Sequence, residues 1–452
     1  MASGSHVADP LPFPHEPTLA RRFPVLRALR HRNYRLFLGG QLVSLIGTWM
    51  QSVAQSWLVY RLTGDPTLLG LVGFAGQIPV FLFASVGGSL ADVTDRHRII
   101  VIAQAAMMGL AFVLAALTLG GWVQLWEIFV LASLMGLVSA FDIPARQSFL
   151  VEMVGKDDLM NAIALNSSMV NGARIVGPAM AGLIVAAVGE GWCFFINGVS
   201  FLAVLGGLLA MDRAGRAVVV PSGQRPSPLG HVAEGFGFVA RATPIRALLL
   251  LLGLVSLMGM SYSVLMPVFV GQILHGGPKG LGLLMGSTGV GALLGALSLA
   301  VRRGVRGLGR WVSMASAGFG LSLIAFSLSR TFWLSAVLLV PTGYAMMVQM
   351  AASNTLIQVM APDRLRGRVM AVYSMMFMGM APFGALLAGV LARTFSAPIA
   401  VRIGGIACVL GSAAFAARWP LYRDSARRLV IAQEAGGGEP PEAGTGTAGA
   451  AS

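Results

Sequence analysis

Charge is what this chain has least of. Only 11% of its 452 residues are Asp, Glu, Lys or Arg, less than half the share in an ordinary soluble domain. With 56% hydrophobic residues, it cannot hide its apolar surface inside one aqueous core. Cysteine is almost missing: Cys193 and Cys408 fall in different halves, which argues against a disulfide framework or a cysteine metal cluster. Histidine is sparse as well. His6, His15, His31, His97, His231 and His275 are all expected in tails or loops, away from any catalytic partner. No phosphate-cradling P-loop occurs, so direct ATP drive is not expected. Nor is there a removable signal peptide to be read: Pro, His and Glu precede any apolar run, and no cleavage site follows a short hydrophobic core.

What the chain has instead is apolar length. Twelve segments near 36–60, 67–91, 98–119, 122–144, 160–187, 191–211, 246–271, 280–301, 309–329, 331–356, 367–391 and 396–417 each approach the ~20 residues that a helix needs to cross a bilayer. They predict an all-α membrane protein with twelve transmembrane helices. The formal charge of +14 follows that topology. All but six of the 32 Lys and Arg lie on the N-terminus, the even-numbered loops and the C-terminus; Arg61, Lys279, Arg330 and Arg393 lie on odd loops, and Arg174 and Arg402 within spans. By the positive-inside rule both termini are expected in the cytoplasm. The basicity is thus a topology signal, and no nucleic-acid partner is expected.

Residues 1–32 form a basic, proline-containing lead, and 419–452 read as a disordered cytoplasmic tail with too little apolar area to fold. The longest internal polar stretch, 212–245, carries Pro221, Pro226 and Pro228 and then a weakly amphipathic segment from Leu229 to Arg241. It reads as a cytoplasmic linker between two six-helix bundles, 33–211 and 246–418. Faint self-similarity supports pseudo-symmetric bundles: Asp158-Leu159 through Pro178 and Ala181-Gly182 has a counterpart in Arg364-Leu365 through Pro382 and Ala388-Gly389, about 206 residues on. Any two glycine- and proline-interrupted apolar helices share some of this likeness.

Three stretches suggest moving parts. The turn after the second span runs from Gly88 to Arg98 as Gly-Ser-Leu-Ala-Asp-Val-Thr-Asp-Arg-His-Arg. Gly88 lets two helices approach, Asp92 suits a positive helix N-terminus, and Arg96 can meet a carboxylate; a plain turn with topogenic arginines would look the same. The fourth span ends Phe141-Asp142-Ile143-Pro144-Ala145-Arg146-Gln147, with acid, helix breaker and base at one rim. Charges at that depth are costly unless paired, so Asp142 with Arg96 or Arg146 reads either as a gating ion-pair cluster or as solvated rim charge. The fifth span contains Gly172, Gly177, Pro178 and Gly182, and the eighth pairs Gly282 with Gly286 and Gly291 with Gly295. Such residues bend helices and admit close neighbours, in a moving seam or a static bundle alike.

These residues carry a family resemblance. The first turn is similar to the major facilitator superfamily signature Gly-x-Leu-Ala-Asp-Arg-x-Gly-Arg-Arg/Lys, with Val93 for its first Arg and Asp95 for its second Gly. The fifth span resembles the antiporter motif of exporters in that superfamily, Gly-Pro-x-x-Gly-Gly, with Ala181 in place of one Gly. Pro144 to Gly182, together with Ala361 to Met370 and its Arg366-Gly367-Arg368, is similar to the bacterial enterobactin-exporter and drug-efflux branch, and the likeness covers about 33–418. The resemblance implies the major facilitator fold, with helices two, five, eight and eleven forming a seam between halves. It implies a lock in which Asp92 meets the start of helix eleven near Arg366 and Arg368 in the outward-facing state, and proton-driven export across a bacterial inner membrane.

The pathway can be sketched from polar residues within spans. Gln41, Ser44, Thr48, Gln51 and Gln55 recur at steps of three or four on one helix face, which hydrocarbon forces inward. Arg174, beside Asn171 and Asn166, either attracts an anionic or catecholate-like substrate or is paired structurally with a glutamine or carbonyl. The second half offers Tyr262, Tyr344, Gln349 and many methionines, including Met346, Met347, Met350, Met375, Met376, Met378 and Met380. Thioether walls suit a promiscuous apolar pocket, and equally plain core filling. Proton coupling calls for a carboxylate in an apolar setting; Glu127, beneath Trp122 and Trp126, is the nominee, with an interfacial residue as the alternative. The expectation is a secondary active exporter, a proton antiporter for small apolar or amphipathic molecules working by alternating access. Its partners are a small-molecule substrate, protons and the bilayer; no cofactor or metal is needed, and a monomer is expected. Rivals are a dedicated siderophore or metabolite exporter, a lysophospholipid flippase, and a non-transporting membrane sensor, which would lose no efflux when Arg174 and Glu127 are changed.

Overall fold

The computed structural model describes residues 24–212, 228–302, 304 and 307–434, nearly all of them helical. The long helices are α1 (Arg32–Thr63), α2 (Pro66–Val93), α3 (Arg96–Leu119), α4 (Leu125–Val154), α5 (Leu159–Val188), α6 (Glu190–Leu209), α7 (Thr243–Ile273), α8 (Gly277–Val301), α9 (Leu308–Leu328), α10 (Phe332–Met360), α11 (Arg366–Thr394) and α12 (Ala397–Glu434). Their boundaries follow local chemistry. Gly64, in the left-handed region at φ 63°, closes α1 onto the Tyr60 carbonyl, and the Asp65 side chain then accepts from the Thr67 amide with Pro66 opening α2. Asp95 caps α3 in the same way, through the His97 amide.

Among the described residues, α2 through α12 are eleven helices long and apolar enough to cross a membrane. At 32 residues, α1 is long enough but more polar, and its Gln41, Ser44 and Gln51 are buried against other helices. In the first part of the chain α1 packs on α5 and α6, α2 on α4, and α3 on α4 and α6; in the second, α8 packs on α10, and α9 on α10 and α12. Two seams join these groups, α2 against α11 and α5 against α8.

Two helices run past their expected ends. Helix α4 continues through Pro144 to Val154, beyond the end read at residue 144. A proline costs one ladder hydrogen bond, and neighbouring helices re-satisfy the freed backbone in a bundle. Helix α12 continues through Pro420 to Glu434, so residues 419–434 are helix and not tail. Trp419 anchors that extension, stacked on Phe415 with ring centroids 5.1 Å apart and seated over Gly309 of α9. Of the expected linker, the segment Pro228–Arg241 is a helix against α11; Pro221 and Pro226 lie outside the described residues, as do 1–23 of the lead and 435–452 of the tail. His97, expected in a loop, is buried in the first turn of α3, with Nε2 2.8 Å from the Leu208 carbonyl oxygen.

Helix α7 is irregular. It widens to a π-turn at Val255–Gly259, tightens to a 3₁₀ segment at Met260–Leu265 and widens again at Phe269–Ile273. Pro267 has no amide hydrogen to give and its ring crowds the carbonyl four residues back, at Ser263. The regular ladder therefore fails where α7 presents Tyr262.

The arginine-rich end of the molecule, where α1 starts and α6 ends, is tied by local ion pairs. Arg32 meets Asp212 at 2.5 Å. Asp158, fully buried ahead of α5, faces Arg30 at 2.8 Å, Arg27 at 3.5 Å and His31 at 2.8 Å. Burial pushes the Asp158 carboxyl up, but the His31 hydrogen bond and the Arg30 and Arg27 charges outweigh it and hold the group below its ordinary value. A depressed carboxylate contributes stability above its unfolded pKa and loses it as pH falls through the lower folded one. Asp158→Asn should therefore lower stability near neutral pH by about 1–2 kcal/mol, trimmed because the partners are part-exposed. The difference from the parent should vanish in strong acid, read as thermal melts of the two proteins across pH.

Candidate functional site

Between the two groups of helices lies a cavity of about 460 Å³. Helix α1 contributes Thr48, Trp49, Gln51, Ser52, Gln55 and Ser56; α5 brings Arg174 and Pro178, α6 Asn197, α7 Met260, Tyr262 and Met266, α8 Met285 and Thr288, and α10 Met346. Of the expected pathway residues, Thr48, Gln51, Gln55, Arg174 and Tyr262 are in the wall. Gln41 and Ser44 share the polar face of α1 but are buried nearer the arginine-rich end, outside the wall. Asn171 is buried and spends its amide on the Ser167 carbonyl of its own helix, at 2.9 Å. Tyr344 and Gln349 are outside the wall as well: the Tyr344 backbone packs on Gly291 and Gly295 of α8, and Gln349 is buried.

The polar stripe is fixed by specific partners. Asn197 Nδ2 donates to Gln51 Oε1 at 2.6 Å, clipping α1 to α6. The Arg174 guanidinium lies over the Trp49 ring, 5.0 Å from its centroid, and its buried Nε has no hydrogen-bond partner. Methionine lines the cavity, but Met346 alone comes from the set singled out in the sequence. Met107, Met135, Met260, Met266 and Met285 complete it, two of them carried there by the irregular stretch of α7.

The seams close one end of this cavity, opposite the arginine-rich end. A Cβ on Gly282 of α8 would overlap the Pro178 carbonyl oxygen and come within 3.0 Å of Gly182 Cα; one on Gly182 would meet the Pro278 carbonyl oxygen at 2.8 Å. Gly70 and Gly389 make the corresponding backbone approach between α2 and α11. At the same end Arg393 of α11 reaches Asp65, which caps α2, at 3.4 Å. The motif glycines of α5 divide their work: Gly177 packs on α1 at Trp49, Gly182 sits in the seam, and nothing lies within 4 Å of a Cβ placed on Gly172. In the α2–α4 contact the tight positions are Gly87 against Ala140 and Gly136 against Gly76, while Gly88 has ordinary room beside Pro144.

At the arginine-rich end the ion pairs of Arg96, Arg146, Arg366 and Arg368 among the described residues stay within their own groups of helices. Arg96 pairs with Glu152 and lies 3.9 Å from Asp92, whose side chain is 49% exposed. Arg146 meets Asp142 at 2.7 Å, and Gln104 donates to the same carboxylate at 3.0 Å. Arg366 pairs with Asp363 at 2.5 Å, and Arg368 with Glu234 of the Pro228–Arg241 helix. The meeting of Asp92 with Arg366 or Arg368 expected for the outward-facing state is therefore not made in this conformation.

Glu127, the nominated proton carrier, sits at the head of α4, away from the cavity. Its Oε2 accepts from the Gln124 amide at 2.9 Å in the capping box that opens α4, and it is absent from the cavity wall. The buried acids are elsewhere. Asp142 is 1% exposed, and Glu190 at the head of α6 takes Arg61 on both oxygens, at 2.8 and 3.3 Å. Sequence reasoning passed over Glu190, Trp49 and the Asp65–Arg393 pair. An acid right after Gly189, and the Asp65-Pro66-Thr67 cap pattern, were signals for the first and last; nothing in the spacing marked Trp49 as the partner of Arg174.

Comparison with known proteins agrees with this architecture. The profile of a family described as transmembrane secretion effector matches residues 25–430. The chain is 24% identical over 378 residues to the staphyloferrin A transporter of Staphylococcus aureus (strain NCTC 8325 / PS 47), covering 83% of this chain and 93% of that protein. It is 29% identical over 370 residues to the multidrug efflux pump Tap of Mycolicibacterium fortuitum, covering 79% and 88%. Among solved structures, a bacterial homolog of the human lysosomal transporter Spinster, in an inward-facing and unoccupied conformation, superposes with a TM-score of 0.62 at 15% identity, over 89% of this chain and 98% of that one.

Proposed function

We propose, because this chain belongs to the transmembrane secretion effector family of major facilitator transporters, that it is a secondary active exporter of small amphipathic molecules in a bacterial inner membrane. In this reading α1 joins the eleven apolar helices as a twelfth crossing, its polar face lodged against α5 and α6, and the helices form two six-helix bundles with both termini in the cytoplasm. The arginine-rich end is then cytoplasmic, and the glycine seams and the Asp65–Arg393 pair close the outer end, so the cavity faces inward. Alternating access follows by rocking the bundles about that cavity. The observation that carries the reading is a cavity walled by both groups of helices and shut at one end by backbone-to-backbone contact. The relatives named for efflux of drugs and transport of a siderophore favour export of amphipathic solutes.

The chain is a transporter and not an enzyme, and proton antiport is its proposed drive. Asp142, one turn beyond the cavity residue Ser139 and gripped by Gln104 and Arg146, takes the place of Glu127 as the carboxylate best situated to exchange a proton. The test uses inside-out vesicles with an imposed pH gradient and a panel of dyes. Gradient-dependent accumulation is expected in the parent, and Asp92→Asn, which removes the charge needed for the outward-facing lock, should slow it about tenfold with expression unchanged. No gradient-driven accumulation of any dye would sink the exporter reading; full turnover in Asp92→Asn would remove the lock.

A further inference from the structure

Arg174 is the one charged residue in the wall of the cavity, among the described residues, and no acid accompanies it. Its guanidinium carbon lies over the Trp49 ring, 5.0 Å from the centroid, a cation–π contact that uses none of its N–H donors and leaves them for a planar acceptor. The buried Nε has no such acceptor in the protein, and Arg174 makes no ion pair among the described residues. An uncompensated cation at this depth is costly. A ligand carrying one negative charge would supply the missing counter-ion, and charge-assisted bonds to a guanidinium are among the strongest available in a low-dielectric site. The surrounding wall, with Met260, Met285 and Met346 on one side and Gln51 and Gln55 on the other, suits a flat apolar body with a few polar substituents. The volume falls within the range for drug-sized ligands.

We infer that the cavity selects amphipathic monoanions, with a carboxylate or sulfonate docked edge-on to Arg174 and an apolar ring system among the methionines. This deepens the exporter reading and rests on it for the direction of movement. The unmodified protein in nanodiscs provides the first arm of the test, by displacement of bound neutral N-phenyl-1-naphthylamine with naphthalene-1-sulfonate or with its uncharged isostere, naphthalene-1-sulfonamide. The sulfonate should displace at a concentration at least about tenfold lower. Arg174→Gln should erase that preference, and Arg174→Lys should keep most of it, while all three proteins still bind neutral N-phenyl-1-naphthylamine. Equal potency of sulfonate and sulfonamide on the unmodified protein, or an unchanged preference in Arg174→Gln, overturns the assignment.

Transport separates the two readings. If inside-out vesicles accumulate ethidium and the neutral amine but not 1-anilinonaphthalene-8-sulfonate, the anion site is wrong and export stands. If naphthalene-1-sulfonate binds selectively in nanodiscs and no probe accumulates, the anion site stands and the exporter reading falls.

Discussion

Gly282→Val should cut gradient-driven accumulation by about 10-fold to 100-fold while leaving the protein in the membrane. Valine places its first carbon onto the Pro178 carbonyl oxygen and against Gly182 Cα, and both are backbone atoms of a packed helix that cannot rotate away. Overpacking of this kind costs about 1–3 kcal/mol, and here the cost falls on the state in which α5 and α8 are closed. A state-selective penalty of that size shifts the balance of two conformations by about 5–150-fold. The variant should thus dwell open at the seam end, so that a reporter Ser56→Cys in the cavity wall gains reactivity toward a membrane-impermeant maleimide applied from that side. Gly172→Ala is the control: it alters a glycine of the facing helix α5 where a Cβ meets nothing within 4 Å, and transport should be retained. Undiminished accumulation in Gly282→Val, with no change in labelling, would show that the seam does not move.

That contrast between two glycines on facing helices shows what a sequence can and cannot disclose. Eleven of the twelve expected spans and their approximate positions were legible because apolar length is dictated by bilayer thickness, and the polar face of α1 because hydrocarbon leaves a glutamine stripe nowhere else to go. Thr48, Gln51 and Gln55 reach the cavity for that reason, and Gln41 and Ser44 miss it only because they lie further along the same stripe. Less legible was anything fixed by the meeting of distant segments. Pro144 reads locally as a helix end, yet α4 continues because its neighbours tolerate the missing hydrogen bond. Glu127 reads either as an acid in an apolar setting beneath Trp122 and Trp126 or as an interfacial residue, and the structure has it closing a capping box with Gln124, three residues away. The presence of Met260 and Met266 in the cavity wall depended on the broken geometry of α7, which no periodicity announced.

Asp142→Ala should be among the most destabilising single substitutions in the chain. The carboxylate is buried, with Arg146 at 2.7 Å and Gln104 donating at 3.0 Å. Removing it leaves a cation and a buried amide without their acceptor, and breaking such a pair from one side costs about 3–5 kcal/mol. The expected readouts are a fall in thermal midpoint of the detergent-solubilised protein and a sharp loss of folded yield. Asp142→Asn keeps an oxygen for Gln104 and should cost far less. If Asp142 is also the proton carrier, the Asn variant should bind dye normally yet show no response to a pH gradient. A melting temperature unchanged in Asp142→Ala would mean that the cluster contributes nothing to the fold; gradient-driven accumulation intact in Asp142→Asn would send the search for the carrier to Glu190.

The contacts that shut the cavity between α5 and α8 are made largely by main chain, with Gly182, Gly282 and the Pro178 carbonyl at the centre. Those peptide groups already satisfy one another within their own helices, so parting the surfaces strands no donor and uncovers little side-chain area. The two conformers can therefore lie close in free energy with a shallow pass between them. A cargo that binds one conformer about tenfold more tightly than the other, a difference of about 1.4 kcal/mol, is enough to tip such an equilibrium, which makes loading itself the natural trigger for the stroke.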